Sequence, residues 1–112
     1  MYEYRATLLR AVDGDTIDVQ LDLGLNIYQN IKLRLAEINA PELSTEEGQA
    51  AKSALIEMLP KTPWALNIRT IKDRKEKYGR YLAQVMFQDS NGEIIFANNE
   101  MIRTGNAVPY HG

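Results

Sequence analysis

From Thr16 to Leu21 this chain alternates apolar and polar residues without a break. Ile17, Val19 and Leu21 fall on one face of an extended strand, and Thr16, Asp18 and Gln20 fall on the other. A segment patterned at period two is half-buried, so it needs neighbouring strands that close over the same apolar side. The flanking sequence supplies them. Residues 4–10 read as a strand joined to this one through the Asp13-Gly14 turn. A third strand, from about residue 27 to 38, places Ile31, Leu33 and Leu35 inward and Lys32 and Arg34 on the opposite face. Gly24 makes the link between the second and third strands a natural hairpin. Residues 64–71 and 81–88 read as two more strands, joined by a charged segment from Lys72 to Arg80.

Between the third and fourth strands the period changes. Ser44-Thr45-Glu46-Glu47 has the form of a capping box with Ser44 as the cap, and acidic residues fill the first turn. Ala51, Ala54, Leu55, Met58 and Leu59 then recur at helical spacing until Pro60 stops the helix. Asn91-Gly92 marks a turn, and residues 98–104 read as a short helix ended by Gly105. Five short strands laid out flat would leave an apolar face and two edges in water, so closure into a small barrel is the expected solution. A five-stranded barrel with a helix between strands three and four is the arrangement of the OB-fold. The expected class is α+β, mainly β: an OB-fold barrel carrying two helices, as one domain over residues 1–112.

Composition removes several chemistries. No cysteine is present, which excludes disulfides, zinc-thiolate sites and a catalytic thiol. No apolar run approaches the ~18 residues of a membrane span, and the N-terminal residues do not form a signal-peptide core. A cytoplasmic protein with no membrane partner, acting as a monomer, is the expectation. The net charge of −2 does not suit a protein that coats nucleic acid electrostatically. Its distribution is uneven, however, because six of the 13 basic residues (Arg69, Lys72, Arg74, Lys75, Lys77 and Arg80) share one short stretch. A local basic rim on an acidic protein suits an enzyme that engages a few phosphates and releases them.

Three separated segments carry the polar groups of interest: Asp13-Gly14-Asp15-Thr16, the run from Arg34 to Glu42, and Lys77-Tyr78-Gly79-Arg80. Singly they read as a turn, a strand end and a basic loop. Jointly they offer carboxylates for a hard cation, a candidate base, and two arginines able to fork onto a phosphate. Metal-assisted phosphodiester cleavage needs that combination.

These three segments, in this order and at this spacing, resemble the signatures of the thermonuclease family, the staphylococcal nuclease-like domains, over about residues 4–108. The resemblance implies an OB-fold, bound Ca²⁺ and hydrolysis of DNA or RNA, with single-stranded substrate expected. It implies that Asp15 and the main-chain carbonyl of Ala40 ligate the metal, that Glu42 activates water, and that Arg34 and Arg80 clamp the phosphate. It also implies substrate contacts from Lys77 and Tyr78. Asp13 is expected to shape the turn behind Asp15 rather than touch the metal.

At Asn39 the chain departs from the family pattern, in which a second metal-binding aspartate is expected. An asparagine carbonyl still ligates Ca²⁺ as a neutral oxygen, so Asn39 is expected to be a weaker ligand. The family's C-terminal helix has no counterpart before Gly112. Two functions stay open at this level: a Ca²⁺-dependent nuclease, or a catalytically weakened OB-fold that binds single-stranded nucleic acid.

Overall fold

The computed structural model describes residues 2–75 and 80–110. Three long strands come first: β1 (Glu3–Asp13), β2 (Thr16–Asp22) and β3 (Tyr28–Leu35). A short β4 (Ile38–Asn39) precedes helix α1 (Glu46–Met58). Then come β5 (Leu66–Lys75), β6 (Tyr81–Gln88), β7 (Ile94–Phe96), helix α2 (Ala97–Arg103) and β8 (Val108–Pro109). The main sheet runs β3-β2-β1-β5-β6-β7, and a parallel pairing of β3 with β6 closes it into a ring that leaves β7 outside. β1, β2, β3, β6 and β5 thus form a closed five-stranded barrel with mixed pairing. Closure removes the edges that an open sheet would leave, and the barrel with its two helices is an OB-fold, as the strand pattern predicts.

The alternation from Thr16 to Leu21 places its apolar half in the core, where Ile17 and Val19 are fully buried together with Leu33, Leu35, Leu66, Ile68 and Val85. Helix α1 buries Ala51 and Leu55, and α2 buries Met101, on the same continuous core. Parallel closure of β3 on β6 is secured by a buried side chain that the sequence does not flag. Asn98 of α2 donates from Nδ2 to the carbonyls of Ala36 (2.9 Å) and Ala83 (3.1 Å), and its Oδ1 accepts from the Val85 amide (3.0 Å). One amide group thereby ties the end of β3 to β6 and to α2. Among the described residues no helix is long and apolar enough to cross a membrane.

Several element bounds differ from expectation, β5 running Leu66–Lys75 rather than 64–71 among them, and two differences bear on the site. The N-cap of α1 is Thr45, not Ser44, and its hydroxyl accepts from the Gly48 amide at 3.0 Å. Both residues have a capping oxygen; Gly48 decides between them, because the cap must sit where the chain can pass tightly over that residue. In addition, the third strand ends at Leu35 rather than near residue 38. The chain turns at Ala36 and Glu37, with Glu37 left-handed (φ 65°), before resuming as β4.

Candidate active site

The β1–β2 turn presents Asp15. Asp13 Oδ1 accepts from the Asp15 amide (3.0 Å), closing an Asx turn that fixes the backbone of the loop. Gly14 has a packing reason to be glycine rather than a conformational one. A Cβ there would lie 2.7 Å from Ala51 Cβ on α1 and 2.8 Å from Ala40 Cβ. The turn is therefore wedged between the helix and the loop that follows β4, and it brings Asp15 to that loop.

Asp15 is 6% exposed and Arg34 is 9% exposed, although both are charged. Register sets Arg34 opposite Thr16, next to Asp15. Asp15 Oδ1 accepts from the Thr16 hydroxyl (3.1 Å), and Oδ2 accepts from the Ala40 amide (2.9 Å). Arg34 Nη2 lies 3.5 Å from Asp15 Oδ2 and donates to Asn39 Oδ1 at 3.3 Å, while Nη1 donates to the Leu35 carbonyl at 2.8 Å. Burial pushes the Asp15 carboxyl above the usual carboxylate range, and the neighbouring Asp13 adds to the rise. The Ala40 amide and Arg34 oppose it without cancelling it. An acid held this way favours any cation that restores the environment its charge has lost.

The structure thus brings Asp15, Arg34, Asn39 and Ala40 together. Arg34, read from alternation as a residue of the outer face, does lie there, but the β4 loop folds over it and removes it from water. Glu42 is two residues beyond Ala40, and its side chain is exposed. Its backbone is held hard: the Glu42 carbonyl accepts from the Thr45 hydroxyl (2.7 Å) and the Thr45 amide (3.0 Å). A Cβ on Gly48 would come within 1.8 Å of that carbonyl oxygen. Thr45 and Gly48 thus hold the Glu42 backbone, a role that sequence reading misses because it depends on how a loop lies over a helix.

Arg80 is half-buried and immediately precedes β6, where Tyr81 pairs with Leu33 and Leu82 with Arg34. The parallel pairing therefore sets it on the strand next to that of Arg34. Lys77 and Tyr78 lie outside the described residues. A shallow cleft of about 190 Å³ opens beside the cluster, lined by Asn39, Ala40, Pro41 and residues 105–108.

The donor set can be tested against a cation. Among the described residues no three acidic or histidine side chains converge, so any ion held here must also use neutral oxygens. One cationic nitrogen, Arg34 Nη2, already lies between Asp15 Oδ2 and Asn39 Oδ1. Both oxygens therefore face a point that positive charge can reach. With no soft donors and only hard oxygens, the set fits Ca²⁺ or Mg²⁺ rather than a thiophilic metal. Two or three protein oxygens fall short of the six to eight that Ca²⁺ takes, which leaves positions for water and for a phosphate oxygen.

Comparison with known proteins bears on the family of this chain. The family model for staphylococcal nuclease homologues matches residues 32–111. The chain is 36% identical over 103 aligned residues to a Haemophilus influenzae protein named as an uncharacterised endonuclease, covering 92% of this chain and 51% of that one. It is 30% identical over 112 aligned residues to micrococcal nuclease of Shigella flexneri, covering 96% of this chain and 59% of the relative. Against protein ParB of Escherichia coli the identity is 34% over 83 residues, with 74% and 42% covered. The chain spans about half the length of these curated relatives. A closed OB-fold barrel, a polar cluster at the mouth formed by β1–β2 and β3–β4, and a family match over most of the chain lead to one assignment: this chain belongs to the staphylococcal nuclease family.

Proposed function

We propose that the chain is a Ca²⁺-dependent nuclease that hydrolyses phosphodiester bonds of DNA, RNA or both, acting on single-stranded or loosely paired substrate with low sequence specificity. The observation that carries this reading is the Arg34 guanidinium held between Asp15 and Asn39 in a buried cluster, with Glu42 three residues beyond Asn39 on a rigidly anchored backbone. Asp15, the Asn39 side-chain carbonyl and the Ala40 main-chain carbonyl would hold the cation. When bound, Ca²⁺ would polarise the phosphoryl oxygen and help orient the attacking water.

The remaining work falls to the chain's own side chains. Glu42, exposed at the rim, takes a proton from water as that water attacks phosphorus. Arg34 has five N–H donors, of which its hydrogen bonds to Leu35 and Asn39 use two. A phosphate entering the cluster competes for the guanidinium, and Arg34 together with Arg80 offsets the charge that builds on the equatorial oxygens. Contacts to phosphate rather than to base edges account for the low specificity.

A second reading, a nucleic-acid-binding domain without turnover, draws on Asn39, which gives the cluster one negative charge fewer than a pair of aspartates would. Incubation with heat-denatured DNA in Ca²⁺, Mg²⁺ or EDTA separates the two. Digestion in Ca²⁺ that EDTA abolishes supports the nuclease. Intact DNA retained by the protein in all three conditions overturns it in favour of the binding domain.

A further inference from the structure

A second group of charges lies on the outer face of the barrel, one step along the strands from the Asp15–Arg34 cluster. Register aligns Arg10 of β1 with Asp18 of β2, and Asp18 with Lys32 of β3. Arg10 Nε donates to Asp18 Oδ2 at 2.7 Å, and Lys32 Nζ lies 3.2 Å from Asp18 Oδ1. Two cations on one carboxylate leave a unit of positive charge unbalanced. Both face solvent, with the Arg10 side chain 66% exposed and that of Lys32 40% exposed.

This belt is placed relative to the cluster by the same ladder. Thr16 pairs with Arg34 just as Asp18 pairs with Lys32. The two rows therefore share a face and lie about 7 Å apart, two residues of strand rise. That separation matches the reach of one extended nucleotide. The next positions outward along β3 are the polar Asn30, level with Gln20, and then Tyr28, level with Asp22. A purely structural ion pair would need one cation for Asp18, and exposed pairs of that kind contribute little to stability. The second cation leaves the group with a positive charge that a phosphate can take up.

The geometry points to a phosphate-binding step on this belt: Arg10 and Lys32 hold the backbone of the substrate strand one nucleotide beyond the phosphate at the Asp15–Arg34 cluster, and the strand crosses the outer faces of β3, β2 and β1. The assignment rests on the nuclease reading and extends its substrate site to a specific direction and length.

The test measures binding of a single-stranded twelve-nucleotide oligothymidylate and of a thymidine dinucleotide across a salt series in EDTA, with parallel digestions in Ca²⁺. For single strands each neutralised phosphate contributes roughly 0.7 to the slope of log K against log salt. The double substitution Arg10→Gln with Lys32→Gln removes one phosphate contact and is expected to lower that slope by about 0.7 for the twelve-mer. The parent's advantage then shrinks about 2.6-fold between roughly 50 and 200 mM salt, while dinucleotide binding is unchanged. Asp18→Asn, which removes the counter-charge and keeps both cations, is expected to bind the twelve-mer more tightly; a structural ion pair would not produce that gain. A parent that digests DNA with a salt slope none of these substitutions alters overturns the belt and leaves the nuclease reading standing. A parent that neither binds nor digests overturns both.

Discussion

The two ends of the β2–β3 hairpin obey opposite rules. At one end, where Thr16 pairs with Arg34, charged and polar groups are buried: Asp15, Thr16 and Arg34 are all sheltered, and each has partners at hydrogen-bond or ion-pair distance. At the other end, where Asp22 pairs with Tyr28, apolar groups face water. Leu25 is 94% exposed, and Leu23, Ile27 and Tyr28 are exposed too. Backbone conformation differs in parallel. The far end carries left-handed Leu25 and Asn26 (φ 55° and 62°), and nearby Trp64 (φ 62°) stacks on Tyr28 with ring centroids 5.3 Å apart. An exposed leucine in that conformation is a poor local choice, with a backbone cost of about 1–2 kcal/mol that no packing offsets. A buried carboxylate beside a guanidinium costs more, and it persists where a reaction has use for it. The contrast says which end sequence changes can improve and which they can only damage.

The largest expected effect is at the site rim. Glu42→Gln should lower turnover by roughly 10²–10⁴-fold, the usual contribution of a general base. Because the side chain is exposed, its melting temperature should match the parent's within error, and so should oligonucleotide affinity. Equal rates for variant and parent would remove Glu42 from the chemistry.

Next is Gly48, which tests whether the site end is held by close approach. Helix propensity alone predicts that Gly48→Ala stabilises by about 1 kcal/mol. The Cβ would come within 1.8 Å of the Glu42 carbonyl, however, and backbone cannot swing aside as a flexible side chain would. We expect a net loss of about 1–3 kcal/mol by denaturant unfolding, with turnover falling at a temperature where the variant is still fully folded. A variant more stable than the parent, with unchanged turnover, would show that the loop does not lie as described.

The smallest effect is at the far end, with the opposite sign. Leu25→Gly relieves a left-handed leucine that is 94% exposed. The relief is offset in part by the added freedom of glycine in the unfolded chain, leaving a gain below about 1 kcal/mol. Turnover should not change, since the hairpin tip is about 20 Å of strand from Arg34. A drop in activity would mean that the two ends are coupled.

How much of this was legible in the sequence depends on how local each feature is. Alternation in β2 and the apolar spacing of α1 report a residue's own neighbours, so the strands, the helix and the closed barrel could be read directly. The burial of Arg34 could not, because it is created by the β4 loop folding over an outward-facing position. The cap of α1 was ambiguous between Ser44 and Thr45 for the same reason: the choice is made by Gly48 meeting Glu42, residues outside the cap itself. Gly14 was read as a turn glycine, whereas its tight neighbours are Ala40 and Ala51. Asn98 gave no sign at all, since an asparagine at the start of a short helix looks like any other. The short β4, β7 and β8 carry too few residues to show a period. The site residues themselves were legible only through the joint order of three segments, and the fold explains why that order matters: Asp15 and the run from Arg34 to Ala40 meet at one end of one hairpin.

In the proposed function this end of the hairpin would hold a divalent cation through Asp15 together with the neutral oxygens of Asn39 and Ala40. Calorimetric titration of Ca²⁺ into the parent and into Asn39→Asp tests it most directly. The parent should bind measurably and the variant more tightly, because the added carboxylate places a second negative charge beside the ion. Identical affinities for the two proteins, or no binding by either, would contradict it.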